Sequence, residues 1–131
     1  MNILKNLVLF IWMMPQDVVG LFLVFVVKRM RCTFIGNGQG MPVCVIRTTS
    51  FGGGISLGHF VLMDKYSGVD VLSHELGHTV QSMILGPFYL FVIGIPSISW
   101  CGLRMLGLFR KRSYYWFYTE SWADRIAGIK R

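Results

Sequence analysis

Acidic residues are scarce in this chain. It has six Asp and Glu in 131 residues, against thirteen Lys and Arg, and three histidines. A site built from carboxylates and imidazoles must draw on that short roster. Charged residues of both signs reach only 15%, while hydrophobic residues make up 53%. Soluble domains usually carry roughly 25% charge, so part of the apolar surface is expected to meet lipid. The three cysteines, Cys32, Cys44 and Cys101, form no CxxC pair and leave an odd count. That argues against a secreted disulfide scaffold or a thiolate metal site; each reads as a small buried hydrophobe in a reducing compartment. No helix shows a basic stripe interleaved with stacking aromatics and no nucleic-acid motif occurs, so no nucleic-acid partner is expected.

The length suits one domain, residues 1–131, and is too short for two ordinary ones. The formal charge of +7 is gathered in short clusters: Lys28, Arg29 and Arg31; Arg110, Lys111 and Arg112; and Arg125, Lys130 and Arg131. The first two directly follow apolar runs, a membrane-flank pattern. By the positive-inside tendency this places the chain's functional face on the cytoplasmic side.

An apolar run from Asn6 to Val27 is interrupted by Pro15, Gln16 and Asp17. The arms on either side, Leu7 to Met14 and Val18 to Val27, each reach about 12–15 Å, against a hydrocarbon core of about 30 Å. A membrane-associated hairpin over residues 1–31 is therefore expected. A single tilted span would leave Asp17 near mid-bilayer at a cost of about 3 kcal/mol. No small-residue cleavage site follows the run, so the segment is expected to be retained. A second apolar segment, residues 83–109, is broken by Gly86, Pro87, Gly94 and Pro96 and reads as two short helices hinged near Pro96.

Between these segments, Met41 to Thr49 and Ile55 to Met63 read as strands of a short antiparallel sheet. Ser67 and Asp70 resemble a capping box opening a helix from about Gly68 to Leu85, which Gly86 and Pro87 stop. Ser113 can cap a last helix from Tyr114 to about Gly128. The fold class is thus α+β.

The central helix contains His74-Glu75-Leu76-Gly77-His78, the pattern HExxH. Helical residues i and i+4 lie about 40° apart around the axis, so both histidines can reach one metal ion. Glu75 stands beside them, placed to hold a water and take its proton. A catalytic zinc needs a third protein ligand and an open position. Glu120 and Asp124 share a face of the last helix, which suits a ligand and a supporter. Glu120 would coordinate zinc, and Asp124 would accept the free ring N–H of a ligand histidine, assigned to His74. His59, on a strand, could assist at the active site, with an ordinary edge-strand residue the simpler role. Tyr114, Tyr115 and Tyr118 are candidates for an oxyanion donor, with aromatic packing the simpler role for each. The strand Ile55 to Met63, just before the HExxH helix, is placed to pair with an extended substrate by analogy with zincins.

HELGH followed by ESWADR resembles the gluzincin pattern, HExxH then ExxxD, of thermolysin-like peptidases. It is closer still to the membrane gluzincins of the CAAX-prenyl-protease kind, whose third-ligand helix reads ExxAD. The resemblance implies a zincin-like domain with Glu120 as third zinc ligand, Asp124 supporting and Glu75 as catalytic base. The full set of spans of those large peptidases is missing, so their substrates do not carry over. Met14-Pro15-Gln16, the stretch 78–97 and the stretch 114–124 are also similar to small bacterial membrane-associated HExxH proteins, a resemblance that covers most of the chain and names no substrate.

The expected function is a zinc metallopeptidase cleaving a peptide or protein at a membrane lipid surface. One rival is a non-catalytic, zinc-stabilised, membrane-associated binding protein. Another is a soluble enzyme whose apolar segments form its core or an oligomer interface.

Overall fold

A computed structural model describes residues 3–27, 29–50 and 52–130. Lys28 and Arg131 of the basic clusters lie outside the described residues, as do the side chains of Arg29 and Arg31. Among the described residues the fold is α+β, with five α-helices and one four-stranded mixed sheet.

The N-terminal apolar segment forms α1 (Ile3–Trp12) and α2 (Met14–Val26), which meet at 89° around the buried Met13. The expected hairpin broken at Pro15 to Asp17 is instead an elbow broken at Met13. Pro15 sits in the first turn of α2, where its missing N–H is no loss and its fixed φ suits the helix. Gln16 and Asp17 are buried tethers. The Gln16 amide donates to the Gly86 carbonyl at 2.8 Å, and Asp17 accepts the His59 backbone N–H at 2.6 Å while meeting His59 Nδ1 at 2.8 Å. The Gln16 amide nitrogen and the Asp17 carboxylate are thus satisfied by protein, as burial demands, whereas Gln16 Oε1 and Asn6 Oδ1 are buried without a partner.

The strands are β1 (Arg29–Gly36), β2 (Pro42–Thr48), β3 (Gly54–Leu57) and β4 (Phe60–Asp64), in the order β1-β2-β4-β3. Two expectations are corrected here. The stretch Ile55 to Met63 is not one strand: it folds at Gly58, which has φ of +63°, into the antiparallel hairpin β3–β4. Consequently β4 lies parallel to β2, and the sheet is mixed and not purely antiparallel. β1, unforeseen from the sequence, pairs antiparallel with β2. Val43, Val45, Val61 and Met63 pack toward Leu72 and Leu76 of the next helix, while Cys44, Ile46 and Leu62 pack against Val24 of α2. Burial on both faces explains the continuous apolar run of β2.

Helix α3 (Val69–Leu85) carries HExxH and ends at Gly86, as its stop signals indicate. Its N-cap is Gly68 without a side-chain bond, so the Ser67/Asp70 capping box does not form; the Ser67 carbonyl instead accepts from Arg47. A 3-10 turn (Gly86–Phe88) and a π turn (Leu90–Gly94) lead into α4 (Ile95–Met105). The chain bends by 119° between Phe88 and Leu90. The hinge therefore precedes Pro96, which occupies the first turn of α4. Ser113 caps only a 3-10 turn (Tyr114–Trp116), and the last helix, α5 (Tyr118–Ala127), starts later than expected.

Candidate metal centre

Helices α3 and α5 must approach closely to share a metal, and the sequence allows it at Gly77. A Cβ there would lie 2.3 Å from the Ala123 carbonyl oxygen, so only glycine admits the α5 backbone at this point. The contact brings Glu120 and Asp124 of α5 over the histidine face of α3.

The result is a three-residue cluster. His74 Nε2 and His78 Nε2 each lie 3.2 Å from Glu120 Oε1, and the three ligand atoms lie within 4.8 Å of one another. All three side chains are buried. Zinc bonds of 2.0–2.1 Å at tetrahedral angles would set neighbouring donors about 3.3 Å apart, so the spacing fits a metal ion.

The hydrogen bonds around the cluster sharpen this. His74 Nδ1 lies 2.7 Å from Asp124 Oδ1, as the ExxxD spacing leads one to expect. His78 Nδ1 lies 2.6 Å from Gln81 Oε1, and the Gln81 amide nitrogen donates to the Thr119 carbonyl, which fixes its oxygen toward the ring. Both Nδ1 atoms therefore donate, and in the neutral rings both Nε2 atoms present lone pairs. Two lone pairs and a carboxylate oxygen converge with no donor among them. Only protons or a cation can satisfy such a set, so His74, His78 and Glu120 could hold a metal ion.

The electrostatics agree. Burial opposes charge on His78, but its bond to Glu120 and the Glu75 charge outweigh it and hold the imidazole at about 9. Burial likewise works against the Glu120 carboxylate, yet the two histidines override it and keep it well below the usual range. The second Glu120 oxygen accepts from Ser97 at 2.7 Å and Thr119 at 2.5 Å. These bonds turn Oε1 toward the histidines.

Glu75 differs from Glu120. It is buried, its Oε2 has no hydrogen-bond partner, and burial raises its carboxyl despite both histidines. A Cβ at Gly54 of β3 would come within 2.9–3.0 Å of Glu75 atoms, so the edge of the sheet lies directly against this residue. Glu75 is thus a buried carboxylate beside the ligand set, raised by burial and with Oε2 unengaged.

The other predicted candidates separate. His59 is held by Asp17 and belongs to the α2 tether. The Tyr118 hydroxyl donates to the Val92 carbonyl. The Tyr115 ring packs edge-on against His74 at 5.2 Å. Tyr114 lies near Glu120, and burial with the Glu120 charge holds its hydroxyl far above the usual tyrosine range. Gln81, Ser97 and Thr119 were not anticipated. Gln81, three residues after His78, was accessible to helical spacing; Ser97 and Thr119 carry no such signal.

No protein-family model matches the chain, and no curated protein or solved structure matches it either.

Proposed function

We propose that the chain is a zinc-dependent metallopeptidase of gluzincin type that cleaves peptide bonds at a membrane surface. The observation that carries this reading is the set of three converging acceptors with a buried carboxylate beside it whose Oε2 has no partner. Two imidazoles and one carboxylate suit zinc among the available divalent ions. Bound there, zinc would supply Lewis-acid polarisation of a scissile carbonyl and of a water.

The chain's own residues do the rest. His74 and His78 offer Nε2, held in that tautomer by Asp124 and Gln81. Glu120 neutralises part of the ion's charge through Oε1 while Ser97 and Thr119 hold its other oxygen. Glu75 accepts a proton from the attacking water and returns it to the leaving amine. Its upward shift from burial suits a group that must both take and give a proton. β3 is the edge strand against Glu75, where an extended peptide would pair beside the Ser56 carbonyl, which already accepts from the Tyr89 hydroxyl.

The membrane component rests on surface chemistry. Among the described residues no single helix is long and apolar enough to cross a bilayer, but two bent pairs meet that test together. Phe25, Phe91, Met105 and Leu106 are each more than 70% exposed. Apolar groups at that density suit seating in one leaflet, with Arg110, Lys111 and Arg112 at the headgroups.

Elemental analysis of protein purified without added metal tests the centre. About one zinc per chain is expected, lost in Glu120→Ala. Glu75→Gln should keep zinc and lower peptide turnover by about 10²–10⁴-fold. A zinc-replete Glu75→Gln protein with undiminished function would favour the non-catalytic binding protein. A folded wild type that rejects added zinc would end the metallopeptidase proposal.

A further inference from the structure

Cys32 and Cys44 take no part in the metal centre. β1 and β2 pair with Cys32 opposite Ile46 and Cys44 opposite Phe34, so the cysteines are diagonal neighbours on one face of the sheet. Their Sγ atoms lie 3.0 Å apart. Their surroundings differ: Cys32 is exposed, while Cys44 is buried with Ile46 and Leu62 under α2. The expectation of a small buried hydrophobe therefore holds for Cys44 and fails for the exposed Cys32. Cys101 lies apart from them in sequence, on α4.

We propose that Cys32 and Cys44 form a reversible dithiol–disulfide site, an intrachain staple between β1 and β2 that closes on exposure to a low-molecular-weight disulfide. Access sets the order of events. The exposed Cys32 thiolate attacks one sulfur of a disulfide such as oxidised glutathione. The reagent's S–S bond breaks, one glutathione thiolate leaves, and Cys32 carries the other as a mixed disulfide. Cys44 is shielded from the bulky reagent but already touches the Cys32 sulfur. It releases its proton and attacks that sulfur, forming the intrachain bond and expelling the second glutathione. In sum, two protein thiols lose two protons and two electrons, and one glutathione disulfide is reduced to two thiols.

The fold accommodates the closure. Bond formation draws the sulfurs to about 2.05 Å. β2 is held on both sides, by β1 and β4, whereas β1 is an edge strand with a register irregularity between Arg29 and Arg31, just before Cys32. The movement therefore falls on β1. In a reducing compartment the open dithiol is the resting form, and the staple marks oxidation.

The test equilibrates the full chain in graded mixtures of reduced and oxidised glutathione, then quenches with acid, alkylates free thiols and maps the peptides by mass spectrometry. A Cys32–Cys44 linked peptide lacking two hydrogens is expected, with Cys101 alkylated throughout and dithiothreitol restoring both thiols. Cys44→Ser should stop at a glutathione adduct on Cys32, and Cys32→Ser should leave Cys44 unmodified. A lasting mixed disulfide on wild-type Cys32, or a bond that recruits Cys101, would overturn the proposal. The wild-type peptide map decides this without relying on either variant to fold.

Discussion

Which nitrogen of each imidazole is free decides what the metal centre can do. Asp124 and Gln81 take the two Nδ1 protons and leave both Nε2 atoms facing Glu120. Gln81→Ala removes the acceptor for His78 and should lower zinc affinity by about 10–100-fold in a chelator competition. An unchanged affinity would reduce Gln81 to a packing residue. The proton on His78 gives a second outcome. Before metal enters, burial opposes that proton, but the Glu120 bond and the Glu75 charge prevail and hold the ring at about 9. Near neutrality zinc must displace it, so apparent affinity should climb about tenfold per pH unit and level off near pH 9. The same group acts on the metal-free fold with the opposite slope. Its folded value is raised above 6.5, so its contribution to stability is complete below that pH and is lost as pH rises through about 9. Thermal melts with and without zinc across this window should therefore diverge as pH increases.

Elements meet at the centre only where two glycines let them. Gly77→Ala sets a methyl group against the Ala123 carbonyl, part of the rigid α5 backbone. Helix α5 must withdraw, carrying Glu120 and Asp124 with it. A loss of about 1–3 kcal/mol in denaturant unfolding is expected, together with loss of bound zinc. Gly54→Ala instead presses β3 on the Glu75 side chain, away from the contact between α3 and α5. It should keep zinc and depress turnover, and equal zinc loss in the two variants would mean the elements are not separable in this way. At this scale the sequence was partly legible. Helix α3, its stop at Gly86 and the shared face of Glu120 and Asp124 follow from periodicity and end signals. The parallel pairing of β2 with β4 does not, because it depends on where the chain returns after Gly58.

For the whole molecule, the N-terminal elbow is fastened to the end of the helix that carries HExxH. The Trp12 indole donates to the Met83 carbonyl at 3.0 Å and Gln16 donates to Gly86. A bilayer that holds the elbow would therefore hold α3 as well. On the membrane proposal, the chain should float with vesicles containing phosphatidylglycerol and bind phosphatidylcholine vesicles less. Changing Arg110, Lys111 and Arg112 to Gln should weaken the anionic preference by about 1 kcal/mol per charge, or several-fold each. Monodisperse protein without detergent that ignores both vesicle types would end the membrane proposal.

The sequence by itself determined what local geometry can carry. Residues four apart share a helical face whatever surrounds them, so His74 with His78, and Glu120 with Asp124, could be grouped before any fold was known. Tertiary structure alone decided that these faces meet, that Gln81 and Ser97 serve them, that Asp17 answers His59, and that the thiols of Cys32 and Cys44 touch. Such contacts depend on how distant segments pack, and nothing in the spacing of residues along one element encodes the position of another.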